Sequence, residues 1–293
     1  MHKAGFVNII GLPNVGKSTL MNALIGEKLS ITSSKAQTTR HRIFGIFNDD
    51  EYQIVFSDTP GFIRDPAYPL QKHMNEFVSS TFEDADLFLY VADPWVDVES
   101  QQALIDRVLQ TKLPLYFVMS KGSLVDAVRS KEVCDLWVSV LNPLTVYQVD
   151  SVTGAGIEAL LLDIKKHIPE HEPYFDKEDL TDRNVRFFVS EIIREHILKL
   201  YRQEIPYSCE VVVEDFKEKP DIISIRALIY TERDSQKNII IGPKGSSIQQ
   251  LGIDSRVAIE AFLGKKVYLD LFVKVLKEWR SNALLLSKLG YKN

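Results

Sequence analysis

Cysteine is scarce in this chain, with only Cys134 and Cys209 among 293 residues. The two lie far apart, without a Cys-x-x-Cys spacing or a histidine companion. A disulfide framework and a zinc site therefore have no support, and two buried, reduced thiols are expected. Long apolar runs are lacking too: none approaches the roughly 20 residues needed to span a bilayer, and residues 1–6 lead into a strand rather than a signal peptide. The expectation is a soluble, cytoplasmic protein. Internal repeats and low-complexity tracts are also absent. The formal net charge of -5 argues against a surface that binds nucleic acid throughout, but the average hides an asymmetry. Residues 1–174 carry 15 Lys+Arg against 22 Asp+Glu, whereas residues 235–293 carry 10 against 4. The basic end is where a polyanion would find attraction.

The chain is long enough for two domains of ordinary size, each with its own core. Its first half alternates short apolar runs with amphipathic stretches, the rhythm of βαβ units and a mainly parallel sheet. Strands are predicted over 6–10, 52–56, 87–91 and 115–119, with a helix over 17–25. Such a doubly wound sheet binds ligands outside the carboxyl ends of its strands. Two prolines among charged residues, Pro169 and Pro173, mark a linker. The domains are read as 1–170 and 185–293, joined by 171–184. In the second, a helix over 191–201 precedes strands over 208–213 and 222–230, a turn at Gly242, another helix, a strand over 266–275 and a final helix.

Gly11-Leu12-Pro13-Asn14-Val15-Gly16-Lys17-Ser18 fits G-x-x-x-x-G-K-[ST] between an apolar strand and a helix, where phosphate binding requires it. Glycines let backbone N–H groups wrap the β-phosphate and the helix N-terminus favours the negative charge. Lys17 bridges the β/γ oxygens and Ser18 ligates Mg²⁺. Hydrolysis needs more. Asp58, at the end of the strand over 52–56, is placed near the Mg²⁺, and the Gly61 N–H sits where a γ-phosphate would be sensed. The polar loop Gln37-Thr38-Thr39-Arg40-His41 lies where a hydroxyl could close onto the metal when triphosphate is bound. The nucleotide set is thus Gly11, Asn14, Val15, Gly16, Lys17, Ser18, Thr19, Thr38, Thr39, Asp58 and Gly61. Ser18, Thr39 and Asp58 are the metal set, and Lys17, Thr39 and Gly61 the catalytic one.

With these residues in place, the chain resembles the Era family of bacterial GTPases, which carry a KH domain and act in small ribosomal subunit assembly. The likeness rests on the P-loop, on residues 35–42, on Asp58-Thr59-Pro60-Gly61, on Asp179-Leu180-Thr181-Asp182-Arg183 and on Glu191-Ile192-Ile193-Arg194-Glu195. It implies a small-GTPase-like P-loop α/β domain followed by an α+β KH domain of type II. It also implies GTP and GDP as substrate and product, and a monomer in the cytoplasm with peripheral contact at the inner membrane. The 3′ end of 16S rRNA and the 30S subunit are the implied partners. As in relatives, a hydrophobic residue, Phe62, follows Gly61 where Ras-like enzymes carry a water-orienting glutamine, so slow basal hydrolysis is implied. Asn14 implies potassium near the phosphates; its plainer role is to cap the P-loop turn.

Guanine selection in this family uses Asn-Lys-x-Asp, and here the chain reads Ser120-Lys121-Gly122-Ser123. Lys121 keeps its alkyl stem for the base face, Ser123 offers no bidentate carboxylate, and Ser120 is expected to be too short to tie the loops together. The second base loop, usually Ser-Ala-x, reads Asp150-Ser151-Val152, so that Ser151 and Val152 take the places of the usual contacts. Losing charge-assisted bonds worth roughly 1.5 to 3 kcal/mol each would weaken guanine binding by orders of magnitude. Asp150 would replace the lost acceptor in part. Three readings stay open at this level: a GTPase with weak base selection, a promiscuous nucleotidase, and an RNA-binding KH scaffold with a nucleotide-blind P-loop domain.

Gly242-Pro243-Lys244-Gly245 forms a Gly-x-x-Gly loop between an apolar run and a helix, the arrangement that clamps about four nucleotides of single-stranded backbone. Glycine admits the phosphodiester, while Lys244 and Arg256 supply salt-sensitive attraction. Ile239, Ile240, Ile241, Ile248 and Leu251 are expected in the core first, with one edge forming the groove under the bases.

Overall fold

The computed structural model describes residues 2–95 and 97–291. It falls into two compact units, one running to Asp182 and the other beginning at Arg183. The first is built on a six-stranded sheet of order β2-β3-β1-β4-β5-β6. Its strands are β1 (Lys3–Ile10), β2 (Ile43–Asn48), β3 (Tyr52–Asp58), β4 (Leu87–Ala92), β5 (Leu115–Ser120) and β6 (Thr145–Val149). The central strands β4 and β5 are buried at every position, the signature of a parallel sheet covered on both faces. Helices α1 (Lys17–Ile25), α2 (Pro69–Asp84), α3 (Gln102–Thr111), α4 (Ala127–Leu141) and α5 (Ile157–His167) connect them. Phe117 stacks on the buried Trp137 of α4 at 5.4 Å, so a bulky aromatic pair fixes that helix to the sheet.

The edge strand β2 is antiparallel to β3, the one exception to parallel pairing in this sheet. It breaks the βαβ rhythm because β2 and β3 are joined by the short Asp49–Asp50–Glu51 turn rather than a helix. The segment 171–184, read as a linker, is fastened to this same edge over 174–182. Gln53 Oε1 accepts from the backbone N–H of Tyr174 and Phe175, Ile46 N–H donates to the Leu180 carbonyl, and Phe44 N–H donates to Asp182 Oδ1. A β-edge with unpaired N–H groups is covered by the chain's own next segment.

The second unit packs α6 (Val185–Leu200), α7 (Asp234–Ile241) and α8 (Ser246–Leu263) on a three-stranded sheet of β7 (Glu210–Glu218), β8 (Ile223–Thr231) and β9 (Val267–Val275), followed by α9 (Ala283–Lys288). β7 and β8 pair antiparallel, β8 and β9 parallel. The helix expected from 191 begins six residues earlier, where Asn184 caps it by accepting from the Phe187 N–H at 3.0 Å. Ile193, Ile197, Ile225, Ile229, Ile240, Leu251 and Ile259 form the core. Ile239, expected there, is half exposed, because consecutive residues of α7 face about 100° apart and Ile240 takes the inward position. Both cysteines are buried and neither is in a disulfide. No described helix is long and apolar enough to cross a membrane.

Candidate nucleotide site and RNA-binding loop

β1 delivers the chain into the P-loop at Gly11, whose φ of +147° only glycine tolerates and where a Cβ would lie 2.3 Å from the Val91 carbonyl oxygen. The loop closes at Gly16, in the left-handed region, and α1 starts at Lys17. A cleft of about 370 Å³ opens here, lined among others by Asn14, Lys17, Ser18, Thr19, Thr38 and Gly61. Lys17 folds back on the loop and donates from Nζ to the Leu12 carbonyl at 2.7 Å. Burial pulls its pKa down to about 8, with Asp58 opposing the shift.

Three oxygens from distant parts of the sequence converge beside Lys17. Ser18 Oγ donates to Asp58 Oδ2 at 2.6 Å, Thr39 Oγ1 lies 2.8 Å from Ser18 Oγ and 3.3 Å from Asp58 Oδ2. Asp58 is fully buried, which raises its carboxyl pKa against the pull of Ser18 and Lys17. Its Oδ1 has no hydrogen-bond partner among the described residues. A buried carboxylate with an unused oxygen and two hydroxyls is a hard-oxygen set that fits Mg²⁺. The loop expected to close a threonine onto the metal is closed in this structure: Thr38 Oγ1 donates to the Lys35 carbonyl at 2.6 Å and Thr39 reaches Asp58. Asn14 reinforces the closure by donating Nδ2 to the Ser34 carbonyl at 2.9 Å. Gly61 lies against the P-loop, where a Cβ would fall 2.4 Å from the Pro13 nitrogen. Phe62 packs on the core of the first unit rather than facing the cleft as a polar group would.

The base loops follow β5 and β6. Ser120, expected to be too short to tie the loops together, does reach the P-loop: its Oγ donates to the Val15 carbonyl at 2.5 Å, because the end of β5 lies beside that loop. Lys121, in the left-handed region, donates from Nζ to the Asn14 carbonyl at 2.7 Å and to Asp93 Oδ2 at 2.8 Å. Asp93 escaped the sequence reading, although a Pro-flanked acid directly after the apolar run of β4 was a signal for it. Ser123 meets Asp150, whereas Val152 is almost wholly exposed.

In the second unit, Gly242 takes φ 72° and ψ 174°, a glycine-only conformation, Lys244 is left-handed, and Gly245 at φ +81° caps α8. Pro243 and Lys244 project outward. Beside the loop, Ile248, Gly252, Ile253, Arg256, Leu269 and Leu271 line an open groove of about 340 Å³. Arg256, half exposed, pairs with Glu260 at 3.0 Å. The loop and the apolar groove thus adjoin, as single-stranded RNA binding requires.

Residues 6–121 match the 50S ribosome-binding GTPase family and residues 204–280 match the KH domain family. GTPase Era of Lactobacillus helveticus is 40% identical over 290 residues, covering 99% of this chain and 96% of that protein. GTPase Era of Geobacter sp. is 43% identical over 292 residues, covering 99% and 98%. The chain belongs to the Era family of GTPases. A solved Era in complex with MgGDPNP and nucleotides 1506–1542 of 16S ribosomal RNA superposes with a TM-score of 0.94 at 33% identity, over 100% of both chains. An Aquifex aeolicus Era variant bound to GDP·AlF4⁻ gives 0.94 at 34%, over 99% of this chain and 100% of that one. The P-loop and the Gly-x-x-Gly loop of this Era-family chain were legible as contiguous motifs, whereas the Ser120–Val15, Lys121–Asp93 and Ser123–Asp150 contacts appear only in three dimensions.

Proposed function

We propose that this chain is a Mg²⁺-dependent GTPase over residues 1–170 that binds the 3′ end of 16S rRNA through a KH domain over 185–293 and acts in 30S subunit assembly. The observation that carries the reading is the convergence of Ser18, Thr39 and Asp58 beside Lys17, since phosphate binding alone would not require it. Ser18, Thr39 and Asp58 would hold Mg²⁺, which when bound offsets negative charge on the β/γ oxygens. Lys17 supplies a mobile cation that leaves the Leu12 carbonyl for the phosphates. The Gly61 N–H donates to the γ-phosphate, and Phe62 polarises no water, so turnover is slow. Thr39 couples the loop over 33–41 to the metal, so that this loop is ordered by triphosphate and released after hydrolysis.

Asn14 commits its Nδ2 to Ser34, so its Oδ1 is the atom that a potassium ion beside the phosphates would use. Lys244 and Arg256 attract the RNA backbone, and the groove between α8 and β9 takes the bases. The RNA assignment is supported by the full-length neighbour solved with 16S rRNA nucleotides. Monomeric state and a peripheral inner-membrane contact rest on the family resemblance alone.

Phosphate release from GTP by the full chain, with and without Mg²⁺, tests the enzyme. Wild type should turn over slowly and Lys17→Ala not measurably. Turnover that survives Lys17→Ala, or no GDP or GTP binding by wild type, would refute it. Binding of a 16S rRNA 3′-end oligonucleotide tests the KH reading.

A further inference from the structure

β5 and β6 are parallel neighbours in the register Ser120↔Val149, so the two loops that follow them leave the sheet at the same level. That level is the crevice outside the carboxyl ends of the strands, beside the P-loop, to which Ser120 and Lys121 are tied. Across the gap between the loops, Ser123 Oγ lies 2.7 Å from Asp150 Oδ2. The other oxygen of that carboxylate, Oδ1, accepts from the backbone N–H of Val152 at 3.0 Å and of Thr153 at 3.2 Å. The orientation of Asp150 is therefore fixed by its own loop, with one edge turned to Ser123. These bonds, that from Ser123 foremost, hold the carboxyl below its usual range, so it is ionised at neutral pH.

An ionised carboxylate can only accept, so the hydroxyl proton of Ser123 points at Asp150 and the lone pairs of Oγ remain to accept. The pair then carries two acceptors and no donor: Ser123 Oγ and the remaining lone pair of Asp150 Oδ2. Guanine carries two adjacent donors on one edge, the ring N1–H and the 2-amino group, whereas adenine has an acceptor at N1 and a C–H at position 2. We propose that Ser123 and Asp150 act as one base-edge reader that selects guanine, the hydroxyl and the carboxylate each accepting one of its two donors. The inference rests on the GTP-binding reading above and adds to it the source of base selection. It removes the apparent loss of an acceptor at position 123: the carboxylate has moved to the neighbouring loop and works in part through the serine it polarises.

The plainer role for Asp150 is to shape its own loop through Oδ1, and one substitution separates the two. Asp150→Asn keeps an oxygen for the Val152 and Thr153 N–H groups, which forces its amide nitrogen to the Ser123 side. That nitrogen donates to Ser123 Oγ, turns the hydroxyl proton outward and replaces acceptors by donors while preserving the loop. Calorimetric titration of the full chain with GDP, IDP and ADP in Mg²⁺ reads the result, IDP being the guanine nucleotide without its 2-amino group. Wild type should bind GDP tightest, IDP less well and ADP weakest. Asp150→Asn should lose tenfold or more in GDP affinity and the preference for GDP over IDP, with an unchanged melting temperature. Ser123→Ala, which leaves the loop over 150–156 its own bonds, should also weaken GDP more than ADP. GDP:IDP:ADP ratios unchanged in both variants would overturn the reader while leaving the GTPase reading intact. Equal binding of the three by wild type would do the same. No binding of any of them by wild type would overturn both.

Discussion

A single methyl group on Gly61 should separate nucleotide binding from hydrolysis. The φ of Gly61 lies outside the left-handed region, so alanine can adopt the same backbone and the effect is steric alone. Its Cβ would fall 2.4 Å from the nitrogen, 2.5 Å from Cα and 2.5 Å from Cγ of Pro13. Ordinary carbon contacts lie near 3.5 to 4.0 Å, so the loop must withdraw on the order of 1 Å. Pro13 is backbone of the P-loop and cannot yield without disturbing the phosphate cradle. Overpacking of this kind costs about 1 to 3 kcal/mol, which lowers the population with the Gly61 N–H in place by about 5- to 150-fold. GDP has no γ-phosphate and does not use that group. Single-turnover phosphate release from GTP should therefore fall by that factor, while GDP affinity by calorimetry stays within about twofold. Hydrolysis at the wild-type rate, or a parallel loss of GDP affinity, would refute the assignment of Gly61 to the γ-phosphate.

Asp58→Asn removes the one charged donor of the metal set and should raise the Mg²⁺ concentration needed for half-maximal hydrolysis by about 10- to 100-fold, read from a Mg²⁺ titration of turnover. The two glycines of the RNA loop should behave differently. At Gly245 an added Cβ meets no atom within 4 Å, so Gly245→Asp should keep the fold at a cost of about 1 to 2 kcal/mol and still lose more than tenfold in affinity for single-stranded RNA. At Gly242 the new Cβ would lie 2.1 Å from Ser247 Oγ, so Gly242→Asp should also distort the loop, seen as lost amide protection at the start of α8. Hydrolysis unchanged when sodium replaces potassium would remove the proposed role of Asn14. Glu191→Leu breaks a buried two-bond pair with Arg194 and should destabilise the second unit by about 3 kcal/mol in denaturant unfolding.

What the sequence determined by itself is what a short run of backbone encodes. Gly11 to Ser18 and Gly242 to Gly245 each need particular dihedral angles at neighbouring positions, glycine supplies most of them, and the flanking apolar runs state which elements they join. The sheet order, the β2 edge and the fastening of 174–182 to it were not legible, because strand pairing depends on packing summed over distant residues. The base loops show the difference most clearly. In sequence, Ser120, Ser123 and Asp150 are three departures from a family pattern. In the folded chain, the close approach of β5 to the P-loop lets the short Ser120 reach the Val15 carbonyl, and the register of β5 on β6 brings Ser123 within 2.7 Å of a carboxylate 27 positions away. A hydrogen bond between two loops is set by where the sheet releases them, and only the tertiary structure fixes that.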